Sequence, residues 1–306
     1  LQPDYDRFEP LGGAACARIP VLNEVGIRQM INGPIPITAD GEPVIGLSPE
    51  LDNFYLCCGF TSGIAASGGA GWVMANWIVD GDPGLDLWPF DVRRFGAPHA
   101  VKATLYERAV EAYGRYYFIA FPNHELEAGR GARRSPLYDT LKRQGAVYGN
   151  KFGWERPNWF APSGTPAVEV PTFERGPAFD AIAAEHRAVR ERVALIDMSS
   201  FSKYEVRGPG ALALLQKLAV NDLDKPEGSI VYTQLCNERG GIEADVTITR
   251  LGAQRFYFVT GSALGVRDRS TIERHSPADG SVDVVDHTSA KAVLNLCGPK
   301  SREVLA

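Results

Sequence analysis

The sequence predicts an α+β chain of more than one compact unit, with an antiparallel sheet in its last third. Three observations predict it. At 306 residues the chain exceeds one average domain and fits two or three. From about residue 175 onward, strand-like and helix-like runs alternate. Lastly, Asn237–Gly241 separates two strand-like stretches, Val231–Leu235 and Ala244–Thr249, in the manner of a hairpin.

Residues 1–93 are rich in Gly and Pro, 94–160 in Tyr, Arg and Trp, and 161–174 carry Pro162, Pro166 and Pro171 as an extended linker before 175–306. In the first region, Phe54–Cys58 reads as a strand buried on both faces. Gly59–Gly63 follows as a glycine loop, and Ile64–Val79 as a helix ending near Asp80–Gly81. Strand, glycine loop and small-residue helix together bring a helix N-terminus, with its unpaired N–H groups, close to a ligand oxygen. Gly68, Gly69 and Gly71 predict close packing on a sheet or a bound group, because each Gly costs about 1 kcal/mol in a helix interior.

In the second region, Val101–Val110 is helical by period, Tyr116–Phe121 reads as a strand ended by Pro122, and Ser135–Gly145 as a capped helix with a glycine stop. The aromatic and charged run Gly153–Phe160 predicts interface packing. In the third, Phe179, Ile182, Ala183, His186, Val189 and Val193 share one helical face, and Leu195–Ser199 turns the chain. Lys203–Arg207 is a strand, Gly208–Gly210 opens a helix over Ala211–Leu218, and Arg255–Thr260 is a further strand beyond the hairpin.

Hydrophobic residues at 44% and charged residues at 23% exclude a disordered chain and a collagen-like fibre. The formal charge of -5 gives no electrostatic reason to expect nucleic acid or an anionic membrane. No apolar run reaches the roughly 18 residues of a membrane helix. Five cysteines without a CxxC pair, and scattered histidines, favour a reducing compartment and predict no metal site. The opening residues lack the pattern of a secretory signal, and both ends read as cuts, so a fragment is expected. Neither GxGxxG nor GxxxxGK[ST] occurs.

Three blocks carry a family resemblance. Asn32–Pro34, Thr38–Gly46, Gly59–Gly71 and Leu85–Pro89 resemble the C-terminal end of an FAD-dependent amine-oxidising domain. Ser135–Tyr138 with Gly153–Trp159 resembles the connecting domain of dimethylglycine and sarcosine dehydrogenases. Tyr232–Gly241 and the strand carrying Asp245 resemble the N-terminal part of the folate-binding domain of the glycine-cleavage aminomethyltransferase. The order of the blocks resembles the dimethylglycine/sarcosine dehydrogenase family. It implies 1–93 as part of the oxidoreductase domain, 94–160 as the connecting domain and 175–306 as part of the folate domain.

The resemblance implies oxidation of an N-methyl amino acid with FAD and transfer of the one-carbon unit to tetrahydrofolate. Gly59, Phe60, Thr61, Ser62, Gly63 and Ile64 would hold the flavin, with the helix N-terminus facing charge that develops on its N1–C2=O edge. Tyr232 and Asp245 would meet the folate, Asp245 as base or orienting carboxylate beside a pterin pocket. Read without the resemblance, Asp245 is a surface strand carboxylate and Tyr232 a core tyrosine. Glu243, two residues earlier on the same sheet face, is the alternative carboxylate.

The family's phosphate-binding glycine motif, its flavin-linking histidine and a further folate-site carboxylate have no counterpart in this sequence. The chain by itself is therefore expected neither to retain FAD nor to turn over. The resemblance leaves the electron acceptor open between oxygen and an electron-transfer flavoprotein, and the expected compartment is the cytoplasm, or the mitochondrial matrix in a eukaryote. Two alternatives compete: a folate-dependent aminomethyltransferase without redox chemistry, and a non-catalytic regulatory relative of the pyruvate dehydrogenase phosphatase subunit type.

Overall fold

The computed structural model describes residues 2–306. Helix α1, Tyr5–Arg18, starts after Asp4, whose carboxylate accepts the Arg7 N–H at 3.1 Å as an N-cap, and it buries no side chain. Strands β1 (Val44–Leu47) and β2 (Tyr55–Cys58) form an antiparallel ribbon. Helix α2, Gly63–Asp80, follows and ends on Gly81 in the left-handed region at φ +75°. Ala70, Val73 and Met74 of α2 pack on Ile45, with Tyr55, Phe60, Leu87 and Phe90 around them. Contrary to expectation, β2 is not buried on both faces. It has one strand neighbour, and Cys57 and Cys58 are exposed. Nor do Gly68, Gly69 and Gly71 pack closely: no atom lies within 4 Å of where a Cβ would stand, so this face of α2 is open among the described residues.

Helix α3 (Lys102–Gly114) precedes a segment, Tyr116–Phe121, that forms no strand. Its apolar residues lack the alternation a half-buried strand requires, and they line a cavity instead. Helix α4 (Tyr138–Arg143) stops before Gly145 at φ +92°. Strands β3 (Ala146–Lys151) and β4 (Trp154–Phe160) form a hairpin that buries Trp154 and Trp159. Trp159 packs with Val147 and Ala161 against Ala181, which joins the middle region to the third.

The third region begins with helix α5, Ala178–Glu191. Ala181 is its one buried residue; Ala178, Glu185 and Ala188 are half-buried, as are Ala183, Val189 and Val193 of the expected face, while Phe179, Ile182 and His186 are exposed. The expected apolar face is thus only partly inward, and the contact with Trp159 is made by Ala178 and Ala181. Strand β5, Ala194–Asp197, occupies much of the expected turn; it pairs with a strand from much later in the chain. Then come β6 (Ser202–Arg207), α6 (Ala211–Leu218), β7 (Ile230–Cys236), β8 (Ile242–Gly252), β9 (Arg255–Thr260), α7 (Gly265–His275), β10 (Asp283–Asp286), β11 (Leu294–Cys297, the partner of β5) and α8 (Ser301–Leu305).

The main sheet has the order β10-β6-β9-β8-β7, antiparallel throughout. One face is dry. Leu235 of β7, Ala244, Val246 and Ile248 of β8, Phe256 and Phe258 of β9, and Tyr204 and Val206 of β6 meet Leu214 and Leu215 of α6 and Ile272 of α7. Apolar residues at 211, 214, 215 and 218 give α6 the stripe that fits this face. Because side chains alternate along a strand, the residues between these point to the other face, which neither helix covers.

Phe258 sits at the middle of the dry face and is fully buried. Phe258→Ala is expected to destabilise the chain by about 3–5 kcal/mol, the range for emptying an aromatic core site, seen as a lower urea midpoint at unchanged slope. A loss below about 1 kcal/mol would contradict this assignment of the core.

Candidate functional site

Two places collect the residues singled out in the sequence. The first is an open cavity of about 980 Å3 between the start of α2 and the segment after α3. Phe60, Thr61 and Ser62 line it, together with Asp40, Tyr116 and His124. Gly59 lies behind them at φ +75°, where a Cβ would stand 2.8 Å from Thr38 Cγ2, so the turn needs glycine both for its backbone and for its space. Gly63 and Ile64 open α2, and the Ile64 side chain is 96% exposed. No side chain caps α2: the Ser62 hydroxyl contacts the Tyr116 hydroxyl instead. First-turn N–H groups of α2 are therefore left for a ligand oxygen or water.

The wall facing α2 is fixed by charge. Arg94, nearly buried, donates to both carboxylate oxygens of Asp40 at 2.7 and 3.0 Å, to the Glu42 carbonyl at 2.9 Å and to the Asp91 carbonyl at 3.2 Å. Thr38 Oγ1 donates to the Glu42 carbonyl at 2.7 Å. These bonds lock the Thr38–Pro43 turn, part of the block that carries the resemblance. The strand reading of Tyr116–Phe121 hid Tyr116, Phe118 and Phe121 as lining residues, and His124 lies just beyond that run. The Pro122–Asn123 pair was the available signal, and Asn123 does take φ +59°.

The second place is the uncovered face of the main sheet. The register sets Gln234 opposite Asp245 and Tyr232 opposite Thr247. Tyr232 and Asp245 are thus diagonal neighbours, and the Tyr232 hydroxyl donates to Asp245 Oδ2 at 3.1 Å. Both side chains are exposed, so Tyr232 is no core residue. Asp245 does not sit in a pocket, as expected for a pterin contact; it lies on an open surface, apart from the cavity at α2. The cause is the alternation of β8, which turns Ala244 and Val246 into the dry core and Asp245 away from it. Glu243 shares this side of β8 but is engaged elsewhere, by Asn237 Nδ2 at 2.9 Å and by Arg267.

Lys203 of β6 also points to this side, in the row Lys203, Val259, Thr247, Tyr232. Unlike Asp245 it is fully buried, beneath the turn at 198–201 and the segment 287–291. Its Nζ donates to the Ser199 carbonyl at 2.8 Å and the Lys291 carbonyl at 2.7 Å. Burial, with the nearby charge of Arg133, pushes the Lys203 ammonium down to about 8, against the opposing pull of Asp286 and Asp197. The lysine pins the loops that wall one end of the open face. Among the described residues no group of three or more His, Cys, Asp or Glu side chains is arranged to hold a metal, and no helix is long and apolar enough to cross a membrane.

Comparisons with known proteins bear on both places. Residues 137–306 match the family model of the GCVT N-terminal domain, residues 80–135 that of the FAD dependent oxidoreductase central domain, and residues 1–77 that of the FAD dependent oxidoreductase. Over 99% of its length the chain is 38% identical to 4-methylaminobutanoate oxidase (formaldehyde-forming) of Paenarthrobacter nicotinovorans, of which the match covers 37%. It is 36% identical over its whole length to the mitochondrial pyruvate dehydrogenase phosphatase regulatory subunit of Mus musculus, covering 36% of it. Mitochondrial sarcosine dehydrogenase of Mus musculus is 33% identical over 99% of the chain, with 37% of that protein covered. The chain spans little more than a third of the length of these relatives. By the match of residues 137–306, more than half of its length, the chain belongs to the GCVT N-terminal domain family, with segments of FAD dependent oxidoreductase type ahead of that domain.

Lys203 gives the folded chain a defined pH response. Its value near 8 lies below the ordinary 10.5, so the folded state disfavours the charged form. That penalty is complete below about pH 8 and vanishes as the pH passes 10.5, so this residue adds stability as the pH rises between the two. Urea midpoints measured across that window should rise for the native chain relative to Lys203→Met. Parallel profiles for the two would contradict the buried ammonium.

Proposed function

We propose that the chain is the central section of a flavin-dependent enzyme that demethylates an N-methyl amino acid, dimethylglycine or sarcosine, and hands the one-carbon unit to tetrahydrofolate. The observation that carries this reading is the Tyr232–Asp245 pair, 3.1 Å apart on an uncovered sheet face, in the same chain as an uncapped helix N-terminus at a large cavity.

The residues around the cavity suit FAD. Phe60, Thr61 and Ser62 present side chains to it, and the backbone N–H groups of Gly63 and Ile64 supply donors that no side chain uses. Gly59 lets this turn lie flat on Thr38. FAD, when bound, supplies the acceptor for hydride from the N-methyl carbon. The chain supplies positive helix-end potential where negative charge would develop, and the locked Asp40 turn holds the opposite wall.

On the sheet face, the Tyr232 hydroxyl holds Asp245 in one orientation and leaves its Oδ1 free to take a proton or to orient a donor. An aromatic ring beside a carboxylate suits a flat heterocycle that carries N–H groups, which is the chemistry of a reduced pterin. Electrons would leave for an electron-transfer flavoprotein or oxygen. The compartment would be the cytoplasm, or the mitochondrial matrix in a eukaryote.

The 36% likeness to a phosphatase regulatory subunit supports a second, non-catalytic reading. One experiment separates the two. In the full-length protein, Asp245→Asn should leave flavin reduction by the N-methyl amino acid within about twofold of wild type. It should lower capture of the one-carbon unit by tetrahydrofolate on the order of 100-fold, the scale of a lost acid–base group. No flavin reduction by any N-methyl amino acid in the wild-type protein would favour the regulatory reading. Undiminished capture in Asp245→Asn would remove Asp245 from the chemistry.

A further inference from the structure

The segment Leu85–Pro89 belongs to the block that carries the family resemblance, yet neither candidate site uses it. Trp88 begins a short 3-10 turn, Trp88–Phe90, and its N–H is held by Asp86 Oδ1 at 3.0 Å. Its ring meets the third region: the Arg267 guanidinium lies over it, 4.9 Å from the ring centre. Arg267 is a residue of α7, and its side chain is only 13% exposed.

The same guanidinium reaches β8. It donates to the backbone carbonyl of Glu243 and lies 3.7 Å from the Glu243 carboxylate, two residues before Asp245. Arg267 itself has little freedom. Its Nε is 3.4 Å from Asp268, which is buried and receives the Thr260 hydroxyl at 2.5 Å. Gly265, at the start of α7, lies so close to the sheet that a Cβ would overlap Ser202 Oγ. A second contact runs beside it, from Arg239 at the tip of the β7–β8 hairpin to Asp82. That one is exposed, and exposed pairs hold little.

We infer that Trp88 and Arg267 form the joint that sets the strand carrying Asp245 against the oxidoreductase-type region, and that both are positioning residues. Arg267 is anchored on the sheet by α7, grips β8 through Glu243, and stacks on the one aromatic ring that the Leu85–Pro89 segment offers. A planar guanidinium suits that double task, because its face can stack on the ring while its edge N–H groups reach β8, a geometry the compact ammonium of a lysine does not reproduce. The catalytic consequence rests on the proposed one-carbon transfer; the mechanical one does not.

The test uses the full-length protein with Trp88→Ala, Trp88→Phe and Arg267→Lys. Hydrogen exchange of the backbone amides in residues 237–245 should rise at least fivefold in Trp88→Ala and in Arg267→Lys, and return to the wild-type rate in Trp88→Phe, which keeps a ring. The ratio of formaldehyde released to one-carbon unit captured by tetrahydrofolate should rise at least threefold in the same two variants, with flavin reduction by the amine within twofold of wild type. Unchanged exchange at 237–245 in both variants would overturn the joint. Raised exchange with an unchanged product ratio would overturn its positioning role. Should the wild-type protein capture no one-carbon unit, the proposed function fails, and the exchange measurement still decides the joint.

Discussion

The alternation of side chains along β8 is the constraint on which the rest depends. Ala244, Val246 and Ile248 must face α6 and α7, because the dry face of the sheet is where this region hides its apolar surface. With that register set, Asp245 has no choice of side. A shift of one residue would bury its carboxylate among Phe256, Phe258 and Leu215 and expose the core. Burying an unpaired carboxylate there would be far more costly than the hairpin could offset. The sheet therefore fixes the direction of the Asp245 carboxylate through hydrophobic burial, and the Tyr232 hydroxyl refines it.

A comparable division of labour holds in the oxidoreductase-type region. A small apolar core around Ile45, Val73 and Met74 seats α2 on the β1–β2 ribbon, and that fixes where its N-terminus points. The polar network of Arg94 with Asp40, Glu42 and Asp91 then stiffens the turn across the cavity. Its guanidinium is largely withdrawn from water, so each carbonyl and carboxylate it meets replaces a lost hydration contact. Removing the Asp40 carboxylate would leave the Arg94 guanidinium as an unmatched, largely buried charge, which is why such a cluster holds a single arrangement.

Much of this was legible in the sequence, for identifiable reasons. Helix α6 carries the i, i+3, i+4, i+7 stripe, and the β7–β8 hairpin carries Asn237 and Gly240–Gly241 between alternating runs, Gly240 at φ +79°. Helix α7 went unread: it buries only Gly265, Asp268 and Ile272, too few apolar positions to mark a face. Strand β5 was taken for part of a turn because its partner, β11, is distant in sequence. The face of α5 was legible in part: Ala183, Val189 and Val193 are half-buried, but Phe179, Ile182 and His186 are exposed, and Ala178 and Ala181 make the contact with Trp159. Of the candidate site, residue identity was readable, but setting was not. The alternation Ala244, Asp245, Val246 does turn Asp245 out of the core, but no local pattern shows whether a pocket covers that face, or that Arg267 reaches Trp88 across two regions.

The central claim is that the open sheet face around Tyr232 and Asp245 is where a reduced pterin meets this protein. A crystal structure of the full-length protein with tetrahydrofolate tests it directly. The account predicts a pterin N–H within about 2.6–3.2 Å of the Asp245 carboxylate, with the ring against Tyr232. A pterin bound at any other surface, with Asp245 still turned to solvent, would contradict it.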